Sequence, residues 1–172
     1  MPIANIPQPE LLPIDTELRL RRYDGKFDFA FDWYQDEEMV WMMDGVRRTY
    51  DMEMLRGMYE YLHRKGELYF IEVCTPEGWK PIGDVTFWQQ DMPIVIGDAA
   101  CRGRGIGRRV VRRLIERGRQ LGYSTLYIGD IYSWNAASRR CFESQGFRPY
   151  AKTENGDKYI LEFGTQNDSA AE

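Results

Sequence analysis

The stretch Cys101-Arg102-Gly103-Arg104-Gly105-Ile106-Gly107 decides how the rest of the chain is organised. Three glycines at alternate positions let the backbone approach a ligand closely and adopt conformations that other residues avoid. An apolar strand candidate at 92–97 precedes the stretch, and an arginine-rich helical pattern follows it. A helix that begins here points free N–H groups, at the positive end of its dipole, toward any anion above the loop. The stretch therefore predicts a phosphate-binding loop.

The spacing of the glycines narrows the kind of phosphate ligand. A Walker loop ends in Gly-Lys-Ser/Thr and the dinucleotide fingerprint reads G-x-G-x-x-G, and this loop matches neither. The pattern present is Arg102-x-x-Gly105-x-Gly107. Because short glycine motifs match by chance, a glycine-rich turn before an ordinary surface helix stays open as the alternative.

Composition describes one globular domain. The 172 residues are 43% hydrophobic and 14% aromatic, which indicates a packed core and excludes a disordered chain. No apolar run approaches the roughly 18 residues that cross a bilayer. The cysteines lack metal-ligand spacing, and a single histidine, His63, argues against a histidine-based metal site or triad. We therefore expect a cytoplasmic protein without a metal or a membrane partner.

The charges are unevenly distributed although the net charge is only −4. Arginines crowd residues 102–119, and aspartates and glutamates fill residues 24–51. This asymmetry suits an enzyme with an anionic cofactor and a cationic substrate, and two solvated charged faces are the alternative. Nucleic-acid binding by the arginine helix is disfavoured, because the chain is acidic overall and has no second basic element.

The hydrophobic pattern predicts an α+β domain with a mixed, mostly antiparallel central sheet flanked by helices. We expect an irregular segment at 1–16, a single domain at 17–163 and a flexible tail at 164–172. The predicted elements are a strand at 17–23, short helices within 27–43, a helix at 51–65, strands at 67–74, 81–88 and 92–98, a helix ending at Gly122, a strand at 124–131, a short helix ending before Gly146, and a hairpin at 147–163.

A second motif follows the strand at 124–131. It consists of an asparagine, a short helix and a closing Gly-Phe, formed by Asn135, Ala136, Ala137, Ser138, Phe142, Gly146 and Phe147. Together with the glycine motif and the order of elements, residues 17–163 resemble the GNAT superfamily of acyl-CoA-dependent N-acyltransferases. The N-terminal part, with Trp33, the acidic run 36–38 and 82–84, resembles the branch of ribosomal-protein N-terminal, spermidine and antibiotic acetyltransferases.

This resemblance implies acetyl-CoA as the cofactor and assigns residues to it. The backbone from Arg102 to Arg108 would bind the CoA pyrophosphate, which involves Arg102, Gly103, Arg104, Gly105, Ile106, Gly107 and Arg108. The strand end near Ala99 and Ala100 would pair with the pantetheine arm, and one amide there would polarise the thioester carbonyl. Asn135 and Ser138 would contact the arm from the opposite side, with a helix-cap or surface role as the alternative for Ser138.

The candidate catalytic residues follow the family pattern less closely than the cofactor-binding residues do. Phe142 stands where the family commonly has a tyrosine that protonates the departing thiolate, and phenylalanine cannot donate a proton. The loss costs an estimated ~2 kcal/mol, since a thiol near pKa 8.5 is a fair leaving group. Cys141 is the candidate replacement acid, with Tyr132 and Tyr150 as alternatives. Asp98 is in strand register with Ile94 and Ile96 and is the candidate base for the attacking amine. Hydrogen bonding to loop amides is its alternative role.

The acceptor side is predicted from acidic and aromatic residues. Asp32, Glu37 and the neighbouring Glu38 are candidates to hold a cationic acceptor, and each has an exposed helix carboxylate as its alternative role. Asp84, Trp33 and Trp88 are further candidates, although large aromatic residues are commonly part of the core.

The predicted reaction is transfer of an acetyl group from acetyl-CoA to a primary amine by direct attack. A small cationic acceptor, such as a polyamine or an aminoglycoside-like molecule, fits the acidic residues. A peptide or protein N-terminus is the alternative acceptor, and an acyl-CoA-binding module without turnover is the alternative function. A homodimer is compatible with the sequence, which leaves the oligomeric state open.

Overall fold

Five antiparallel strands form the larger of two sheets in the computed structural model, which describes residues 3–164. They follow the order β1-β2-β3-β4-β5 and comprise Leu11–Pro13 (β1), Leu18–Arg22 (β2), Glu67–Thr75 (β3), Gly78–Phe87 (β4) and Ile94–Ile96 (β5). Residues 67–72 are all buried because both faces of the sheet are covered. Tyr69 and Ile71 join one hydrophobic cluster, and Leu68 and Phe70 join the other.

The smaller sheet has three antiparallel strands in the order β6-β8-β7. These are Thr125–Tyr132 (β6), Arg148–Lys152 (β7) and Gly156–Glu162 (β8). The two sheets meet where the turn between β4 and β5 contacts β6. Tyr127 N donates to Gln89 O at 2.9 Å, and Gly129 N donates to Asp91 Oδ1 at 2.9 Å. Within residues 3–164 no backbone pairing joins β5 to β6, so the predicted central sheet is divided at this point.

Helices cover the two faces of the larger sheet. A 3₁₀ helix at Asp28–Gln35, Glu37–Asp44 (α1) and Met52–Lys65 (α2) cover one face, and Ile106–Gln120 (α3) and Ala136–Ser144 (α4) cover the other. N-cap side chains explain where α1, α2 and α4 begin, because they accept hydrogen bonds from amides of the first turn. These N-cap residues are Asp36, Asp51 and Asn135, respectively.

The α+β class is confirmed, and two details differ from the sequence prediction. Residues 11–13 pair with β2, although we predicted an irregular segment there. The third predicted strand ends at Ile96, because Asp98 caps a single 3₁₀ turn at Ala99–Cys101. The predicted flexible tail falls almost entirely on residues 165–172, outside the described part.

Helix α3 presents an apolar face to the sheet, as its sequence period predicts. That face also contains a buried arginine, Arg117, whose Nε and Nη2 donate to Glu67 at 3.0 and 2.8 Å. Tyr69 Oη donates to the same carboxylate at 3.1 Å. This buried pair joins the helix to β3.

None of the helices in residues 3–164 combines the length and the apolar character needed to cross a membrane. The same residues contain no group of three or more histidine, cysteine, aspartate or glutamate side chains suited to a metal ion.

Candidate active site

A cleft with a volume of about 590 Å³ lies between β5, the glycine loop, α1 and α4. Its lining comes from β5, from the glycine loop with the first turn of α3, from α4 and from α1. The two sequence motifs that lie more than twenty residues apart therefore face one cavity. The predicted site residues that line it are Arg102, Gly103, Gly105, Ile106, Gly107, Arg108, Asn135, Ser138 and Cys141. Those that do not line it are Asp32, Trp33, Glu37, Asp84, Trp88, Asp98, Ala99, Ala100 and Arg104.

The floor of the cleft is a run of unpaired backbone amides. Within residues 3–164, the N–H groups of residues 103–108 have no hydrogen-bond acceptor. The first helical bond of α3 joins Arg109 N to Gly105 O at 3.4 Å. Gly103 and Gly105 have φ values of 70° and 76°, in the left-handed region that favours glycine. Successive N–H groups in such a conformation, at a helix N-terminus, form a concave anion site.

The three amides directly before this run are already engaged. Ala100 N donates to Asp98 Oδ1, Cys101 N to Asp98 O and Arg102 N to Ala99 O, at 3.0, 3.0 and 3.2 Å. Ala99 and Ala100 are exposed. The strand has ended before these residues, and the Ala100 amide is engaged, so the predicted pairing with the pantetheine arm does not hold for the Ala100 N–H. The Ala99 N–H has no acceptor among the described residues, and its pairing with the arm stays a prediction.

Strand β5 offers the free edge instead. Thr86 N donates to Pro93 O at 3.0 Å, and in an antiparallel ladder the bonded residues alternate. The backbone groups of Ile94 and Ile96 consequently point away from β4, toward the cleft that both residues line. Ile96 O accepts from Arg102 Nε at 2.8 Å, so the groups left free among the described residues are the N–H and C=O of Ile94 and the N–H of Ile96. An extended ligand can add to this edge as another strand would.

The Asn135 side chain is used within the protein. Its Oδ1 accepts from Ser138 N at 3.1 Å, and its Nδ2 donates to Met42 O at 3.1 Å. The second N–H of Nδ2 and the second lone pair of Oδ1 are what remain for the predicted contact with the pantetheine arm. Ser138 lines the cleft, and its Oγ has no protein partner within the described residues.

Cys141 lies beside the amide run. Its Sγ is 3.4 Å from the position that a Cβ on Gly107 would occupy. Burial raises the pKa of the Cys141 thiol to about 11, so the thiol stays protonated at neutral pH. Phe142, the next residue, is buried against Phe147 and does not line the cleft.

Asp98 is held by partners outside the cleft. Lys80 Nζ donates to Asp98 Oδ2 at 3.2 Å, and this bond, with that from the Ala100 amide, keeps the pKa of Asp98 below its ordinary value. A carboxylate with a lowered pKa is a weaker base. The alternative role for Asp98, binding to loop amides, is the one seen, so we correct its assignment as the base.

Asp84 is buried rather than available to an acceptor. Tyr34 Oη and Tyr59 Oη donate to its Oδ2 at 2.7 and 2.9 Å. Burial raises the pKa of Asp84 to about 6, and the two tyrosine bonds oppose that rise. The carboxylate joins the 3₁₀ helix and α2 to β4, which explains why it is removed from the acceptor candidates.

The buried carboxyl predicts a pH dependence of stability. The pKa of Asp84 in the folded protein lies above the ordinary value of 3.8. The protonated carboxyl therefore contributes fully to the free energy of unfolding below pH 3.8, and this contribution is lost as the pH rises through about 6. Relative to Asp84→Asn, the wild type should gain about 2 kcal/mol of unfolding free energy between pH 7.5 and pH 4.5. Urea unfolding of both proteins at the two pH values measures this. An equal gap between them at both values contradicts it.

The predicted aromatic walls belong to the core. Trp33 is 9% exposed and packs on Gly97, where a Cβ would lie 2.2 Å from its Cγ. Trp88 lies in the turn after β4 and packs on Gly66, at the end of β5 away from the glycine loop. These contacts correct both acceptor assignments.

Helix α1 forms one wall of the cleft, which the sequence analysis did not predict. It lines the cleft with Glu38, Met39, Met42 and Met43. Asp32 and Glu37 are exposed and face elsewhere. The acidic run alone does not distinguish Glu37 from Glu38, because the start of the helix fixes which carboxylate turns inward. Asp36 is the N-cap residue and fixes where α1 begins. This residue is the sequence feature that could have identified Glu38 as the carboxylate facing the cleft.

Known proteins share this fold. A domain from Methanocaldococcus jannaschii DSM 2661 matches with a TM-score of 0.74 at 19% identity, covering 87% of this chain and 100% of that one. The aminoglycoside acetyltransferase AAC(6')-Ib, in complex with coenzyme A, matches with a TM-score of 0.66 at 18% identity, covering 84% and 94%. An acetyltransferase from Salmonella typhimurium that modifies the N-terminal serine of a 50S ribosomal subunit protein matches with a TM-score of 0.68 at 18% identity, covering 90% and 100%.

Among curated proteins no significant match is found. The model of the acetyltransferase (GNAT) family matches residues 27–147, a range that includes α1, β5, the glycine loop and α4. The matched range holds the unpaired amides, the free strand edge and the wall of the cleft, so the residues present fit an acyl-CoA. The chain belongs to the acetyltransferase (GNAT) family, and it is an N-acetyltransferase that uses acetyl-CoA as its acetyl donor.

Proposed function

We propose that this N-acetyltransferase acetylates a primary amine of a small cationic acceptor that binds against α1. One observation carries the proposal: among the described residues that line the cleft, Glu38 is the one carboxylate. Arg47 Nη1 donates to Glu38 Oε2 at 2.6 Å, and both side chains are more than half exposed. An exposed ion pair of this kind is weak, so an ammonium group of the acceptor can replace Arg47 as the partner.

The donor is held by backbone. The amides of residues 103–108 would bind the diphosphate, and the free backbone groups of Ile94, with the N–H of Ile96, would bind the extended arm. Gly107, at the first turn of α3, lies beside Cys141 of α4. Acetyl-CoA supplies the activated acyl group and a thiolate that leaves near pKa 8.5 without obligatory help from an acid.

Proton transfer by side chains has a small part in this proposal. Cys141 lies next to the amides proposed for the diphosphate. A pantetheine arm that extends from there would place the acyl carbon away from Cys141, so we assign Cys141 to the cleft wall rather than to catalysis. Asp98 is held by Lys80. The amine, near pKa 10, then loses its proton to solvent at the cleft mouth, while the Glu38 carboxylate orients it.

An acceptor panel tests the proposal. Purified protein with acetyl-CoA should release thiol with a linear polyamine or an aminoglycoside. Glu38→Gln should raise the acceptor KM about fivefold, as expected for an exposed charge contact of about 1 kcal/mol. Glu37→Gln is the matched control, because Glu37 is the adjacent exposed carboxylate outside the cleft lining. Equal effects of the two substitutions contradict the role of Glu38.

A peptide or protein N-terminus is the second candidate acceptor. Met39, Met42 and Met43 form an apolar part of the wall, and thioether side chains adapt to varied partners. The related Salmonella typhimurium protein modifies an N-terminal serine. Faster turnover of peptides than of polyamines in the same panel would favour this candidate. Acetyl-CoA binding without product from any amine would instead favour a module without turnover.

A further inference from the structure

Helix α1 is fixed at both ends by residues of the two cofactor motifs. Its N-cap residue, Asp36, contacts Arg102, the first residue of the glycine motif. Its last turn contacts the segment between β6 and α4, where the second motif begins. Since α1 forms the proposed acceptor wall, these contacts decide how that wall sits over the donor site.

The Arg102 guanidinium is committed to protein groups. Its Nε donates to Ile96 O at 2.8 Å and its Nη2 donates to Gly97 O at 3.1 Å. Its Nη1 donates to Asp36 Oδ2 at 3.0 Å. All three nitrogens therefore have acceptors, and the planar group spans from the end of β5 to the start of α1.

Asp36 connects this arginine to the cleft lining. Its Oδ1 accepts from Glu38 N and Met39 N at 3.1 and 3.2 Å, which caps the helix. Glu38 and Met39 both line the cleft. The hydrogen bond from Arg102 holds the pKa of Asp36 below its ordinary value, so the carboxylate stays charged.

The other end of α1 is held independently. Trp134 Nε1 donates to Trp41 O at 3.3 Å, and Tyr132 Oη donates to Asp44 O at 3.3 Å. The Trp41 and Trp134 rings stack with centroids 4.5 Å apart. Loss of the Arg102 contact consequently frees the first turn of α1 and leaves the last turn in place.

We infer that Arg102 is a positioning residue for the acceptor wall, acting through Asp36, rather than a phosphate ligand. This inference rests on the proposed function, which places the acceptor against α1. It changes the role that the glycine motif implies for its arginine: the backbone after Arg102 serves the donor, and its side chain serves the acceptor.

Two single variants and their combination test this role. Asp36→Asn keeps a good N-cap and removes the charge that Arg102 binds, and Arg102→Gln removes the guanidinium. Each should raise the acceptor KM about tenfold and leave kcat and the acetyl-CoA Kd within about twofold. The double variant should be no worse than the singles, because both remove one interaction. Asp51→Asn is the matched control, an N-cap aspartate of α2 with no arginine partner.

Amide hydrogen exchange adds a measurement that requires no turnover. The first turn of α1 should exchange faster in Asp36→Asn and Arg102→Gln than in the wild type or Asp51→Asn, and the last turn should not change. A tenfold loss of acetyl-CoA affinity in Arg102→Gln with a silent Asp36→Asn would overturn the inference. Unchanged exchange in both variants would also overturn it. If no amine is acetylated, the proposed function fails, and the exchange data still decide the role of Arg102.

Discussion

Gly105→Val should weaken acetyl-CoA binding at least about tenfold, the loss expected when one charge-assisted hydrogen bond to a phosphate is broken. Gly105 is the N-cap of α3 with φ of 76°, a conformation that a β-branched residue rarely adopts. No atom lies within 4 Å of an added Cβ, so the effect comes from the backbone rather than from a clash. Relief of the strain moves the following amides, those of Ile106 and Gly107, out of the concave site.

Gly122→Val is a matched control for this effect. Gly122 has φ of 81°, an added Cβ there also contacts nothing within 4 Å, and it follows the far end of α3. Both variants should lose about 1–2 kcal/mol of unfolding free energy from the left-handed conformation. Calorimetry should then find normal acetyl-CoA affinity in Gly122→Val alone. Equal affinities in the two variants would show that the conformation of Gly105 does not matter for the donor.

Glu67→Ala should destabilise the protein by about 3–5 kcal/mol, the largest stability effect that we expect from a single charge. The Glu67 side chain is fully buried, and Arg117 donates two hydrogen bonds to it. Removal of the carboxylate leaves the guanidinium without a partner in the interior, which costs more than the pair itself contributes. Since α3 carries the amide run at its N-terminus, the loss also loosens the donor site.

Glu162→Ala provides the comparison for Glu67→Ala. The Arg148–Glu162 pair has an N–O distance of 3.2 Å, and its side chains are 61% and 59% exposed. An exposed pair of this kind contributes at most about 1 kcal/mol. Urea unfolding midpoints of the two variants should therefore differ clearly, with Glu67→Ala unfolding at the lower concentration. Similar midpoints would mean that burial of the Arg117 pair has no energetic consequence.

The unpaired amides of the proposed donor site could be predicted from sequence because they depend on the backbone. A glycine spacing and a following helix determine where free amides collect, and the residues from Gly103 to Arg108 do so in the structure. The second motif meets the first because β6 leads directly into α4. The glycine loop and the second motif are each identified from a short stretch of sequence and the hydrophobic periodicity of the elements beside it.

The side-chain roles could not be predicted in the same way. Asp84 was a candidate by residue type, but two tyrosines from distant segments, Tyr34 and Tyr59, bury and bind it. Asp98 was a candidate by strand register, but the strand ends before it. Arg117 lies in an arginine-rich stretch that is typical of an exposed helix surface. Its burial is explained only by the position of Glu67, which binds it. Each role depends on a contact between elements that no single stretch encodes.

The most direct test of this account is an acetyl-CoA titration of ¹⁵N-labelled protein, followed by amide chemical shifts. We predict the largest changes at the amides of residues 103–108, because these six N–H groups have no acceptor until a diphosphate occupies the site. Inorganic pyrophosphate should affect the same amides at higher concentration. Changes concentrated elsewhere, such as the hollow lined by Arg22, Arg56 and His63, with the glycine loop unaffected, would contradict the account.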